Sequence, residues 1–479
     1  MGRIIKEELI TDFYEYTMAN GYYESGRADD ILYFDMFFRN VPDNGGFAIA
    51  CGLDLFIDYI QNLHFDDEDI AFLASKGIFS QGYLDSLRNF KFTGDIWAVS
   101  EGTAVFPGEP LVQVRARAVE AQIIETYLLL CINHSSLIAT KANRIVRAAK
   151  GRAVMEFGSR RAQGADGAYI GARAAYIAGA AATACTLSDL KFGVPATGTM
   201  AHSWIQTFDS EYEAFKTYCE IYPNNASLLI DTYDVLKSGL PNAIKVFKEV
   251  LLPKGITKCS VRIDSGDIAY LSKKCRQKLD EEGLYDCKII ASNSLDENII
   301  RDIISQEGCV DSFGVGERLI TAKSNPVFGG VYKLVAVEKD GEVIPKIKVS
   351  ENVAKITTPG FKEVWRIYGE TNKAEADLIT LRGEVIDFDK PIELFDPIHT
   401  WKRKTFDDYT ARQLLVPIFR NGELVYNRPD TEEIRAHCQR EIDSLWDEVK
   451  RFDNPHEYYV DLSQKLWDTK NKLLHEARG

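Results

Sequence analysis

The rhythm of hydrophobic and polar positions changes along the chain, and the changes divide it. Helical spacing runs from Glu7 to Gly21, and a strand-like run follows at Ile31-Leu-Tyr-Phe-Asp-Met-Phe-Phe38. The stretch from Asp95 to Ala116 contains Pro107 and Pro110 and predicts a small sheet. From Val119 to Lys150 the pattern is helical, with Ile123, Ile124, Tyr127, Leu128 and Cys131 at helical spacing.

Between Gly151 and Val337 short apolar runs alternate with helical patterns. The predicted strands are 152–157, 194–197, 227–231, 258–264, 288–292 and 311–316, with helices between them, for example over 203–221 and 268–283. Such alternation calls for parallel strands. Six units without a GxGxxG after the first strand favour a barrel over a doubly wound sheet. Beyond Val337 the pattern predicts a hairpin around Lys339-Asp-Gly-Glu342 and strands near 364–368 and 378–381. From Thr431 it predicts two helices broken near Asn454-Pro455. Three segments result: an N-terminal α/β domain over 1–118, an α/β barrel over 119–337, and a mixed segment over 338–479 that partly packs with the N-terminal domain.

Composition narrows the class. Of 479 residues, 45% are apolar and 27% charged, which is a folded, globular balance. The 57 Lys and Arg against 71 Asp and Glu leave a net charge of −14. That excludes a general nucleic-acid binder and leaves room for a local basic pocket. Nine Cys are scattered without a CxxC pair, as in the reduced thiols of a cytosolic protein, and give no zinc-ligand spacing. Lys6, Glu7, Glu8 and Asp12 break any signal-peptide apolar region, and Lys6 stands where myristoylation wants Ser or Thr. The weakly polar run 174–187 is too short to span a bilayer. The expectation is a soluble, cytoplasmic protein that binds neither membrane nor nucleic acid.

Candidate chemistry gathers at the ends of the predicted strands. They run into Glu156-Phe157-Gly158-Ser159-Arg160-Arg161, Thr197-Gly-Thr-Met-Ala-His-Ser203, Asp231, Arg262-Ile-Asp264-Ser-Gly-Asp267, Ser292-Asn293-Ser294 and Gly314-Val-Gly316. One such cluster is an ordinary helix cap; six in register point to the mouth of a barrel enzyme. Arg160, Arg161 and Arg262 suit an anionic substrate. Taken alone, Arg161 reads as a surface residue. Asp264 and Asp267 suit Mg²⁺ or sugar hydroxyls, although Asp267 also suits an N-cap. Gly314 and Gly316 would bare backbone N–H groups to a phosphate. His202 follows a strand end and precedes a helix, in place for a base or a phosphoryl acceptor. No GxxxxGK[ST] is present, so a P-loop does not hold any ATP.

These motifs, in this order, resemble the nicotinate phosphoribosyltransferase family over nearly the whole chain. The resemblance is carried by Leu9-Ile-Thr-Asp-Phe-Tyr14 through Thr17-Met-Ala-Asn-Gly-Tyr22, Phe37-Phe-Arg39, Ser136-Leu-Ile-Ala-Thr-Lys141 and Glu156-Phe-Gly-Ser-Arg-Arg-Ala-Gln-Gly164. It continues in Gly198-Thr-Met-Ala-His-Ser203, Val261-Arg-Ile-Asp-Ser-Gly-Asp267 and Gly329-Gly-Val-Tyr-Lys-Leu-Val-Ala336. It implies the type II phosphoribosyltransferase fold, an irregular α/β barrel flanked by an α/β domain built from both chain ends. It also implies that nicotinate and phosphoribosyl pyrophosphate give nicotinate mononucleotide and pyrophosphate, with ATP hydrolysis coupled and Mg²⁺ accompanying the phosphates.

By the same resemblance His202 is the phosphorylated histidine. Phe157 stacks on the pyridine ring, opposite Tyr14 of the partner subunit in a homodimer with shared sites. Arg262 reaches the carboxylate with Thr199 nearby, Asp264 holds the ribose or its metal, and Arg160 serves the phosphates. Asp267 and Asn293 join the substrate site, and Gly314, Gly316 and Gly330 line the 5′-phosphate site. Glu317 departs from the family, which often has Thr there, and a carboxylate beside a phosphate is unfavourable unless it turns away. The closest alternative is the nicotinamide-using relative, whose amide is held by an Asp. The corresponding stretch 179–187 has no acid, which suits an anionic substrate. A non-catalytic homologue is the third reading, and the intact His202, Arg262 and Asp264 argue against it.

Overall fold

The structure, a computed structural model, describes residues 6–352 and 355–477. It separates into two compact units, Met1–Leu137 with Val327–Gly479, and Ile138–Pro326. The first limit falls inside the helix Glu125–Ala148, and the second stands ahead of the strand Val331–Lys339, which pairs with Ile31–Phe37.

Both chain ends build the first unit. Its largest sheet has seven strands in the order Glu342–Pro345, Val331–Lys339, Ile31–Phe37, Val112–Arg117, Asp95–Val99, Leu415–Arg420 and Glu423–Leu424. Every pairing in it is antiparallel. The pairing of Asp95–Val99 with Leu415–Arg420 joins residues more than three hundred positions apart. Ring stacking fills the core, as between Phe34 and Tyr332 at 4.4 Å. A second sheet of four strands includes Lys362–Gly369 and Ala374–Leu381.

In the second unit the predicted βα alternation is present as six parallel strands. Their spatial order is Ala182–Thr183, Ala153–Glu156, Ser312–Val315, Lys288–Ala291, Ser260–Ile263 and Ser227–Leu229. Read in chain order this is 2-1-6-5-4-3, the cyclic order of a barrel, with no ladder between the second and third strands. The α/β barrel is thus irregular and open along one side, as expected of the fold class.

Four local expectations are corrected. The segment 194–197 is not a strand: Ala196 makes a single bridge to Thr183, and the second strand is Ala182–Thr183, hidden in a run of small residues without period. The helix over 203–221 is two, His202–Gln206 and Glu211–Ile221, because Ser210 caps the second through the N–H of Glu213. The tail helices Thr431–Ser444 and Gln464–Glu476 are separated by the strand Tyr459–Leu462, which pairs parallel with Ala374–Leu381. At the N-terminus the α-helix is Phe13–Glu24, after a 3₁₀ turn at Glu7–Leu9.

Among the described residues one helical stretch, Ala118–Ala148, is long and apolar enough to cross a membrane by length and composition. Its most apolar window is 67% buried inside the protein, the behaviour of a core helix.

Candidate active site

The C-terminal ends of the parallel strands assemble a cluster around His202, which opens the helix His202–Gln206. Alternation along Ser260–Ile263 buries Val261 and Ile263 and sends Arg262 to the other face. The Arg262 guanidinium donates to Thr199 Oγ1 at 2.6 Å and to the Met200 carbonyl at 3.3 Å. Its Nε is buried without a partner. Burial lowers its pKa, against the opposing pull of Asp264 and Asp231, and the Arg160 charge lowers it further. A guanidinium with a donor to spare is suited to a carboxylate or phosphate.

Two carboxylates face the imidazole. Asp231 Oδ1 lies 4.0 Å from His202 Nε2, and Asp264 Oδ2 lies 3.9 Å from the same nitrogen. Each acid is tied by its other oxygen. Asp231 Oδ2 accepts from the Asp264 N–H at 3.2 Å and the Ser265 hydroxyl at 2.5 Å, and Asp264 Oδ1 accepts from the Ser292 hydroxyl at 2.5 Å. Asp231 Oδ1 is buried without a hydrogen-bond partner. A buried acceptor left open beside a half-exposed acid fits a hard cation that takes one or two carboxylates and completes its shell with substrate oxygens. Among the described residues no group of three or more His, Cys, Asp and Glu side chains forms an all-protein cage.

The loop after Ala153–Glu156 is held from below. Glu156 is buried, and burial raises its pKa; it accepts from the Thr183 hydroxyl at 2.7 Å and from the Gly158 N–H. Phe157 donates its N–H to the Val315 carbonyl at 2.7 Å. Gly314 lies under the Phe157 ring: a Cβ there would stand 2.6 Å from Cδ2. Gly314 therefore owes its identity to the aromatic ring as well as to any phosphate. Arg160 is exposed in the turn Ser159–Arg161. Asn293 has φ 119°, a strained backbone for a residue with a side chain, two residues past the strand Lys288–Ala291.

Other expected residues have local duties. Asp267 caps Ile268–Glu281 by accepting from the Tyr270 N–H at 3.0 Å, the capping role its sequence position left open. Glu317 turns to Lys323, 2.6 Å away, and that contact holds its pKa below the ordinary value. Lys141 is buried and binds Glu297 at 2.8 Å and Ser324 at 2.7 Å, an architectural role for its motif. Tyr14 and Gly330 belong to the first unit. Tyr14 is 45% exposed on its helix, and the Gly330 N–H donates to Asn133 Oδ1 at 2.9 Å, where a Cβ would collide. Asp231, Thr232, Ser265 and Ser292 were not singled out as site residues in the sequence; Asp231, Ser265 and Ser292 carried a signal only as members of the strand-end clusters, and Thr232 carried none.

Comparison with known proteins identifies the family. The family pattern described as the nicotinate phosphoribosyltransferase (NAPRTase) N-terminal domain matches residues 9–133, and that of the C-terminal domain matches 361–470. The nicotinate phosphoribosyltransferase of Bacillus subtilis is 42% identical over 472 residues, covering 98% of this chain and 96% of the relative. The chain belongs to the nicotinate phosphoribosyltransferase family. The Bos taurus nicotinate phosphoribosyltransferase is 31% identical over 540 residues, covering 100% of this chain and 98% of its own length. The crystal structure of human nicotinic acid phosphoribosyltransferase superposes with a TM-score of 0.84 at 29% identity, covering 97% of this chain and 99% of that one. Family membership accounts for the open parallel barrel and for a first unit built from both chain ends.

Proposed function

We propose that the protein joins nicotinate to 5-phosphoribosyl 1-pyrophosphate, giving nicotinate mononucleotide and pyrophosphate in NAD salvage, with ATP hydrolysis coupled through a phosphate on His202. The observation that carries this reading is the Arg262 guanidinium, half-buried beside Thr199 with a free Nε donor, in a chain 42% identical to a nicotinate phosphoribosyltransferase. A charge-assisted contact from Arg262 selects the carboxylate of nicotinate over the neutral amide of nicotinamide. Phe157 stacks on the pyridine ring and sets its nitrogen toward the ribose C1′. Breaking the C1′–pyrophosphate bond gives an oxocarbenium-like centre while negative charge grows on the leaving group. Orientation contributes much of the acceleration, and no strong base is needed because the pyridine nitrogen has a free lone pair.

Asp264 and Asp231 would hold Mg²⁺, which supplies charge neutralisation for the phosphates when bound. Asp264 also binds the ribose, and Arg160 with the backbone at Gly314 and Gly316 takes up phosphate charge. The shared-site reading places Tyr14 of the partner subunit over the ring, and the exposure of Tyr14 on its helix is compatible with that role.

Turnover of nicotinate and phosphoribosyl pyrophosphate, measured with and without ATP, tests the reading. The wild type should be ATP-stimulated, and His202→Ala should keep only slow, uncoupled product formation. An ATP-stimulated His202→Ala variant would remove the phosphohistidine, and absence of nicotinate turnover in the wild type would remove the whole assignment.

A further inference from the structure

Alternation along Ala153–Glu156 buries Val154 and Glu156 on one face of the strand. Phe157 falls on the other face, with Met155 and its neighbour Gly314, whose Cβ would meet the ring. The Glu156 carboxylate therefore stands behind the backbone that carries the ring. Its two oxygens serve two different strand ends. Oε1 accepts from the Gly158 N–H, which closes the backbone around Phe157, and Oε2 accepts from the Thr183 hydroxyl at 2.7 Å. The Cys185 N–H donates to Thr183 Oγ1 at 3.0 Å, so the hydroxyl proton is left to point at the carboxylate. Thr183 passes the hold on. Its N–H donates to the Pro195 carbonyl at 3.0 Å, and its carbonyl accepts from the Thr197 N–H at 2.8 Å. Two residues past Thr197, Thr199 Oγ1 accepts from the Arg262 guanidinium. One buried carboxylate thus ties the loop that carries Phe157 to the loop that carries Thr199. Glu156 and Thr183 are each 0% exposed, so neither touches a substrate.

We infer that Glu156 and Thr183 are positioning residues for the base: their clasp holds the Phe157 ring in a fixed place relative to the Thr199–Arg262 pair. The consequence for turnover rests on the proposed function, in which the pyridine ring stacks on Phe157 and its carboxylate meets Arg262. A flat aromatic acid presents ring face and carboxylate at one spacing, set by its own covalent bonds. Two loops that shift against each other satisfy one contact at the expense of the other. Phosphoribosyl pyrophosphate is less exposed to such a shift, because Arg160 is a long side chain in solvent and can follow a phosphate.

The test pairs turnover with fluorine NMR of the full-length protein labelled with fluorophenylalanine, the Phe157 signal being assigned by its loss in Phe157→Leu. The wild type should give one narrow Phe157 signal. Thr183→Val, which keeps the shape and removes the hydroxyl, should broaden or split it, and Thr183→Ser should restore it. In turnover Thr183→Val should raise KM for nicotinate about tenfold, the worth of one hydrogen bond, and KM for phosphoribosyl pyrophosphate less than about twofold. Thr183→Ala, which also lacks the hydroxyl, should match Thr183→Val. A merely structural role would lower kcat through a smaller share of folded enzyme and leave both KM values in place. Phe157→Leu and Thr183→Val together should raise KM for nicotinate by less than the product of their separate effects, since both remove the same placement. The inference is overturned by an unchanged KM for nicotinate in Thr183→Val and Thr183→Ala, by equal rises for both substrates, or by effects that simply multiply. An unchanged Phe157 signal, or a Thr183→Ser variant that behaves like Thr183→Val, overturns it too. If the wild type does not turn over nicotinate, the proposed function fails, and the fluorine spectra still decide whether the clasp places Phe157.

Discussion

Two clusters of charge, one in each unit, put opposite uses of the same side chains side by side. In the first unit Arg366 is fully buried. It donates from Nε to Asp377 Oδ1 at 2.8 Å, from Nη2 to Asp377 Oδ2 at 2.6 Å and to the Ala104 carbonyl at 2.8 Å, and from Nη1 to Glu441 Oε2 at 3.0 Å. Phe106 and Tyr458 stack at 3.7 Å and lie beside the guanidinium. Although burial opposes ionisation, Arg366 holds Asp377 below the ordinary carboxylate range; burial and Asp377 together push the Glu109 pKa well above its ordinary value. In the second unit Arg262 leaves Nε unpaired, Asp231 leaves Oδ1 unpaired, and His202 is partly in solvent. A partner at every guanidinium nitrogen makes an architectural knot that has little left to offer a ligand. Unspent donors and acceptors at the rim of a sheet make a site.

The sharpest way to break that contrast is to remove the arginine from each cluster. Arg366→Ala strands two buried carboxylates and should cost about 3–5 kcal/mol of stability in urea unfolding, enough to compromise the soluble protein. Arg262→Ala, in a partly exposed cluster, should unfold within about 1 kcal/mol of the wild type. Its loss should appear in kcat/KM for nicotinate, by about 1.5–3 kcal/mol, with little loss for nicotinamide. If both variants lose stability equally, the difference between knot and site is not real.

The same contrast explains what the sequence could reveal. His202, Arg262 and Asp264 were legible because they end strands whose apolar runs alternate with helices. The Arg366 knot was not, because its partners Ala104, Asp377 and Glu441 are far apart in the chain and no spacing relates them. Thr232 was invisible for a similar reason: a threonine carries no motif, and its contact with His202 depends on where an imidazole thirty residues earlier comes to lie. The strand Ala182–Thr183 escaped because two small residues have no period; Glu156 pins Thr183 by a tertiary contact. Gly314 was read as a phosphate cradle, and the Phe157 ring above it is a second, packing reason for the same residue. The unit limit near 137 was hidden because it falls inside the helix Glu125–Ala148, whose period runs on through a change of neighbours.

An unpaired acceptor does not always mark a site, and Glu15 shows how a fold resolves one. Its side chain is buried, Oε1 accepts from the Thr126 hydroxyl at 2.5 Å, and Oε2 has no partner. Burial first, and the nearby Glu125 charge after it, push its pKa from 4.5 up to about 8. The folded chain thus keeps a proton on Glu15 at pH values where the unfolded chain has lost it. With more protons bound to the native state, stability falls as pH rises from the ordinary glutamate range to about 8, by at most about 1.4 kcal/mol per pH unit. Glu15→Gln should flatten that slope in urea unfolding across the window. An unaltered slope would mean that Glu15 is ionised in the native protein, and that the first unit holds an unpaired charge after all.

The smallest expected effect separates a spent charge from an available one within the second unit. Glu317 stands just after Gly314-Val-Gly316, where the proposed function puts the 5′-phosphate, and a free carboxylate there would repel the substrate. Lys323 removes that repulsion by pairing with it at 2.6 Å, and Arg161 and Arg318 add positive potential. The pair is exposed, so its effect is modest and sensitive to salt. Lys323→Ala should raise KM for phosphoribosyl pyrophosphate about twofold to fivefold at low ionic strength and leave KM for nicotinate in place. Glu317→Thr alone should lower that KM or leave it unchanged, and the double variant should return close to the wild type, since the lysine is needed only while the carboxylate is present. Added salt should shrink the Lys323→Ala effect. A double variant as impaired as Lys323→Ala would show that Lys323 binds the phosphate itself, and a Glu317→Thr variant with raised KM would show that the carboxylate belongs to the site and is not a neutralised neighbour of it.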